Sequence, residues 1–169
     1  MRYIGAVFVI ASLLFTGISK ASECKKCCKT LRNSILMLNL LKNEICTART
    51  PVNRIMSKAA AVFQGEVRQF AEMVCKEIEN LGEKGFSEIW SESANKSLLS
   101  MPNECLCEIS RLGTSIGRYN AELQAMDIDR CSNTLNAYLA NYQPELKNKQ
   151  KMYIGLYGGI GMIVAVVLI

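Results

Sequence analysis

Two long uncharged segments at the ends of the chain constrain its fold more than any other feature. Residues 3–18 read YIGAVFVIASLLFTGI, residues 152–169 read MYIGLYGGIGMIVAVVLI, and every charged side chain except Arg2 lies between them. A helix needs roughly 20 apolar residues, within a range of about 17 to 25, to cross a bilayer. The second segment has that length, and the first reaches it because Arg2 and Lys20 can extend to the interface. We therefore expect transmembrane helices in residues 1–19 and 152–169, with a separate domain in residues 20–151.

The basic residues next to these segments predict which side of the membrane the domain occupies. Five follow the first segment and three precede the second: Lys20, Lys25, Lys26, Lys29 and Arg32, then Lys147, Lys149 and Lys151. Loops rich in lysine and arginine remain on the cytoplasmic side. We therefore expect a helical hairpin in the membrane with a cytoplasmic central domain.

The first segment also has the features of a secretory signal peptide, which leaves an alternative open. Arg2 precedes an apolar core, and Ser19 and Ala21 place small residues at possible cleavage positions. The eight cysteines would then form four disulfides in an exported, membrane-anchored binding protein. The dense positive charge directly after residue 18 opposes export of that flank, which favours the hairpin.

The absence of histidine excludes the most familiar catalytic and metal-binding arrangements. The sequence also lacks a GxxxxGK[ST] phosphate-binding loop. A net charge of +5, spread along the chain, does not indicate a nucleic-acid partner. We expect a protein that is not an enzyme, has no cofactor and does not bind nucleic acid.

Apolar residues recur every three or four positions through the middle of the chain, which is typical of amphipathic helices. The pattern predicts an all-α bundle of about five or six helices, since no segment alternates with period two. We expect Thr50 to cap a helix that begins at Pro51, Ser87 to cap another, and Pro144 to kink or break the last one. The helices and their apolar stripes are residues 24–45, 52–63, 67–81, 85–99, 105–116 and 119–142.

Glycines and one tryptophan indicate close packing. Gly113 and Gly117 lie four residues apart, where a neighbouring helix can approach or the chain can bend. Gly155 and Gly159 form a GxxxG pattern in the final uncharged segment, which favours helix packing in lipid over nucleotide binding. Trp90, the single tryptophan, is expected in the core.

The cysteines allow a metal or redox interpretation as well as a structural one. Cys24 and Cys27 have the spacing of half a zinc site, and Cys105 and Cys107 could add thiolates. A second C-x-x-C pair is missing, and Cys105 and Cys131 lie on apolar helical stripes, where free cysteine behaves as a small apolar residue. We expect reduced structural thiols and no bound metal, with a thiol-based metal or redox protein as the alternative.

The order of several short motifs identifies a family resemblance over essentially the whole chain. They are Glu44-Ile45 before Thr50-Pro51-Val52, Ser87-Glu88-Ile89-Trp90, the glycine element at Gly113 and Gly117 followed by Gln124, and Lys151-Met152-Tyr153 before the glycine-rich end. In this order they resemble the stage III sporulation protein AB family of endospore-forming bacteria. The chain has Asn120 where the family usually has Asp, and its Pro144 and cysteine content are atypical. From the sequence, Glu44 is expected to be a solvated or capping carboxylate.

The resemblance implies a function that the residues alone do not give. Members of this family are non-enzymatic membrane components of the complex that links the mother cell to the engulfed forespore. They look like half of an inner-membrane platform protein of type II secretion systems. The resemblance implies the mother-cell membrane around the forespore as the location, and a cytoplasmic ATPase and other membrane subunits of the complex as partners.

Overall fold

The structure is a computed structural model that describes the backbone of residues 2–79, 84–118 and 120–168. It describes side chains in residues 22–79, 84–118 and 120–141, together with Ser19, Met152, Gly155 and Gly159. The side chains of the first uncharged segment and most of the second lie outside this set, as do Leu81 and Gly82, which were expected to end the third helix. Among the described residues, no helix is long and apolar enough to span a membrane.

Six helices make up the described fold, and no β-strand occurs in the residues that the structure describes. This confirms the all-α prediction of about five or six helices. The helices are α1 (Arg2–Asn43), which continues into a π-helical turn (Glu44–Ala48), α2 (Val52–Val62), α3 (Glu66–Ile78), α4 (Phe86–Ser97), α5 (Asn103–Leu112) and α6 (Ala121–Leu168).

The chain divides into two compact units. One unit is Lys29–Leu139, and the other combines Met1–Cys28 with Ala140–Ile169. Within the first unit, α2, α3, α4 and α5 pack in sequence, each against the next. The boundaries expected after residues 19 and 151 remain predictions.

The core of the Lys29–Leu139 unit follows the apolar periodicity closely. Trp90 and Phe70 are its largest fully buried side chains, and their rings meet edge to face with centroids 4.9 Å apart. Every predicted stripe contributes buried residues, among them Leu31, Leu38, Leu41, Ile55, Met56, Val67, Val74, Ile89, Ile109, Ile128 and Leu135. Leu123, predicted to face inward, is instead 47% exposed.

Helix α6 continues through Pro144, so a break at this residue is wrong, whereas a kink there stays a prediction. A proline in a helix removes one amide donor and therefore one backbone hydrogen bond. In a helix of 48 residues the turns on either side keep their own bonds, so the loss of one does not end the helix.

Two predicted helix caps are also wrong. The residue immediately before α2 is Pro51, and the residue immediately before α4 is Gly85. Their backbone ψ angles are 142° and 147°. Thr50 lies one residue too early to cap α2, and Ser87 lies inside α4. Helix α5 ends at Leu112, so Ile116 is buried in the following turn and not on the helix.

Candidate functional site

The corner between α1 and α2 is held together by Glu44. Its carboxylate accepts a hydrogen bond from Thr50 Oγ1 at 2.7 Å and from Lys58 Nζ at 2.8 Å, and its backbone carbonyl accepts from Thr50 N at 3.2 Å. The Glu44 side chain is only 17% exposed. The hydrogen bonds from Lys58 and Thr50 hold the pKa of Glu44 below its ordinary range. Glu44 therefore links the π-helical turn to Thr50 and to Lys58 on α2. Its expected role as a solvated or capping carboxylate stays a prediction.

The same corner fixes the position of Arg49. Its φ of 48° and ψ of 37° are in the left-handed region, which non-glycine residues seldom adopt. The amide of Arg49 donates to the carbonyl of Glu44, which ends the π-helical turn. The Arg49 side chain is exposed. A locally unfavourable backbone conformation thus holds a cation at the surface beside Thr50 and Pro51.

Gly113 lets α4 lie directly against the turn that follows α5. A Cβ at this position would stand 2.8 Å from Trp90 Cβ and 2.9 Å from Trp90 Cγ. The indole Nε1 of Trp90 donates to the carbonyl of Ile109 at 2.7 Å, which satisfies its single donor inside the core. The predictions of a buried Trp90 and of a close approach at Gly113 are confirmed.

Gly117 turns the chain from α5 into α6. Its φ of 82° is a conformation that residues with a Cβ rarely adopt, which confirms the predicted bend. The Gly117 amide donates to Gln124 Oε1 at 3.2 Å, so the buried Gln124 holds the turn against α6. Asn120 caps that helix, since its Oδ1 accepts from Leu123 N at 2.9 Å.

Two clefts lie on this side of the bundle, and the sequence motifs converge on them. The larger, of about 440 Å³, lies between the α1–α2 corner and the start of α6. The smaller, of about 370 Å³, lies between α2, the end of α3, α4 and the turn after α5. Both have Val52 and Gly117 in their walls. Thr50, Pro51, Gly113, Gly117 and Gln124 each line one or both clefts, whereas Glu44 and Trp90 support the walls from behind.

We name these two clefts together the corner groove. Its walls are mostly apolar, and the charged side chains that line it are Arg49 and Arg118. Both arginines are exposed, and neither forms an ion pair with a residue in the described part of the chain. The described walls of the groove can therefore receive apolar groups with negative charge beside them.

Sequence reasoning missed a buried carboxylate elsewhere in the bundle. Glu66, the first residue of α3, is 6% exposed. It accepts hydrogen bonds from Thr30 Oγ1 on α1 at 3.2 Å, and from the amide and hydroxyl of Ser100 at 3.1 and 2.5 Å. Acidic residues are common at helix starts, so nothing in the local sequence marks Glu66 as buried.

All eight cysteines are free thiols in the structure. Cys105 and Cys131 are buried, as predicted, and burial raises the pKa of Cys131 to about 12. Cys24 and Cys27 are half-buried on α1. Within the described residues, no three His, Cys, Asp or Glu side chains are grouped so that they could hold a metal ion.

Gly155 and Gly159 lie on α6, and both are exposed. Among the described residues, no atom lies within 4 Å of a Cβ built at either position. Helix packing through the GxxxG pattern stays a prediction.

Comparison with known proteins gives one assignment. No curated protein and no solved structure matches the chain. The family model described as stage III sporulation protein AB matches residues 2–169, which is essentially the whole chain. The motifs that carry the resemblance in the sequence lie within that match, and eight of the residues named from them line the corner groove: Ile45, Thr50, Pro51, Val52, Ser87, Gly113, Gly117 and Gln124. The chain belongs to the stage III sporulation protein AB family.

Proposed function

We propose that this protein is a non-enzymatic membrane scaffold of the secretion-like complex that links the mother cell to the forespore. Its bundle docks the ATPase of that complex and passes the conformational changes of the ATPase to other membrane subunits. The observation that carries the proposal is the family match over residues 2–169, which assigns the chain a role in stage III of sporulation. The location is the mother-cell membrane around the forespore.

The sequence supports attachment of the chain to the membrane through both of its terminal segments. Residues 3–18 and 152–169 are free of charge, and lysines and arginines stand on the inner side of each. Their backbones belong to α1 and α6, which also contribute to the Lys29–Leu139 unit.

The structure also gives a reason to prefer this scaffold over the disulfide-stapled alternative. The eight cysteines form no disulfide, and Cys105 and Cys131 are buried on helical stripes that also carry buried apolar residues. A small exported domain would instead depend on cross-links.

Deletion of the protein in a sporulating host tests the proposal. We expect development to stop after engulfment of the forespore, and expression of the intact chain to restore it. Normal spores from the deletion strain would refute the role. A topology reporter inserted after Gln64, which is exposed between α2 and α3, tests the orientation. Activity only outside the cytoplasm would exclude contact between the bundle and a cytoplasmic ATPase.

A further inference from the structure

We propose that the corner groove is the docking site for a segment of the ATPase that carries an apolar side chain next to one or more carboxylates. This inference rests on the proposed function, because that function supplies the identity of the partner. The shape and charge of the groove indicate which side chains the ATPase segment carries and where on this protein it binds.

The charge of the groove is one-sided. Among the residues that the structure describes, its lining contains Arg49 and Arg118 and no aspartate or glutamate. The closest acidic group along the corner, Glu44, is bound to Lys58 and Thr50, so its charge is already compensated. An acidic ligand would therefore meet two cations and would displace no internal partner among the described residues.

One helix start adds to this positive charge. Val52, which begins α2, lines the larger cleft, and the first turn of α2 contains no acidic residue. The amino-terminal end of a helix carries a partial positive charge from its unpaired amides. Ala121, which begins α6, also lines this cleft, but Glu122 in the first turn of α6 offsets the charge of that helix end.

The shape of the groove favours a peptide over a lipid surface. Clefts of about 370 and 440 Å³ with apolar walls are large enough to enclose apolar side chains. A flat layer of anionic headgroups contacts protruding basic side chains and has no group that would fill two apolar depressions. A protein segment supplies both an apolar anchor and adjacent carboxylates.

Charge reversal tests the site in the full-length protein. The change combines Arg49→Glu and Arg118→Glu, and the control combines Lys76→Glu and Arg130→Glu, which are also exposed basic residues but lie outside the groove. Binding of the purified ATPase is measured in lipid nanodiscs that contain phosphatidylglycerol. We expect the groove variant to bind about tenfold more weakly or worse, and the control to stay within about twofold of the unaltered protein.

A photo-crosslinking residue identifies what occupies the groove. It is placed at Asn53, which lines the smaller cleft, and for comparison at the exposed Asn133. We expect a crosslink from position 53 to an ATPase peptide that has Asp or Glu within a few residues of the attachment point, and none from position 133.

The outcomes separate this inference from the proposed function. If the unaltered protein binds the ATPase and the groove variant binds it equally well, the groove is not the docking site although the function stands. A crosslink from position 53 to phosphatidylglycerol, or to a peptide without carboxylates, also overturns the site. If the unaltered protein does not bind the ATPase, docking itself is refuted and the inference fails with it.

Discussion

Gly113 packs so closely against Trp90 that position 113 has no room for a side chain. A Cβ at Gly113 would be 2.8 Å from Trp90 Cβ. Real Cβ atoms do not approach so closely, and the Trp90 atoms involved belong to the rigid base of the side chain. We expect Gly113→Ala to lower the free energy of unfolding by about 1–3 kcal/mol, as overpacking of a core does. Urea denaturation measures this, with Gly85→Ala as control because, among the described residues, the nearest atom to a Cβ there is Ser87 Oγ at 4.0 Å. Equal stability of the two variants would contradict the contact.

Glu66 joins α1, α3 and the α4–α5 connection through Thr30 and Ser100. Hydrogen bonds to a charged acceptor are stronger than those to a neutral amide. We expect Glu66→Gln to destabilise the protein by roughly 1–2 kcal/mol in urea denaturation. The exposed Glu72 on the same helix, substituted by Gln, should lose less than about 0.5 kcal/mol. If Glu66→Gln left the free energy of unfolding unchanged, a charged group at this position would not contribute to stability.

The lowered pKa of Glu44 makes the α1–α2 corner sensitive to acid. Its pKa in the folded protein lies below the ordinary value of 4.5, so ionised Glu44 stabilises the fold above that pH. This contribution disappears as the pH falls through the folded-state pKa. We expect the stability difference between the unaltered protein and Glu44→Gln to be present at neutral pH and to vanish in acid.

Direct titration of Glu44 by carboxyl NMR gives the matching test. Lys58→Met and Thr50→Val should each raise the pKa of Glu44, with Lys58→Met having the larger effect. Substitution of the exposed Glu79 by Gln should leave this titration unchanged. If neither variant moved the pKa of Glu44, the hydrogen bonds from Lys58 and Thr50 to its carboxylate would not exist in solution.

The eight thiols should differ sharply in reactivity. Cys46 and Cys107 are exposed and should react rapidly with a thiol reagent in the folded protein. Cys131 should stay unreactive until the protein unfolds, because the thiolate is the reactive form and burial raises the pKa of Cys131 to about 12. Without reductant, denatured protein should show eight free thiols, and Cys46→Ser with Cys107→Ser should remove the rapid phase. A count near zero would instead support the disulfide-stapled alternative.

Asn120 caps α6 through its bond to Leu123 N. We expect Asn120→Asp to keep the stability within a few tenths of a kcal/mol, because Asp caps helices as well as Asn does. Asn120→Ala should cost about 1 kcal/mol. Thermal unfolding of the three proteins checks this. A large loss in Asn120→Asp would mean that a negative charge is not tolerated at this end of the groove.

The periodicity of apolar residues was enough to predict the helices and most of their buried faces. A helix brings every third or fourth residue to one side, so the pattern that buries Leu38, Trp90 and Ile109 is visible over a few turns of sequence. Gly113 and Gly117 were recognisable for the same local reason, because their effect on the chain acts where they stand. The family, too, could be recognised from short motifs in their order along the chain.

Only the tertiary structure decided what the polar residues do. Glu66 is 36 residues from Thr30, and Ser100 is 70 residues from Thr30, so their meeting depends on how helices pack and leaves no local pattern. Local rules for single residues also misled at Thr50, which bonds to Glu44, and at Pro144, because a long helix absorbs one lost hydrogen bond. The corner groove has the same origin: its walls come from four helices and two connections, and a concave surface of that kind exists only once they are assembled.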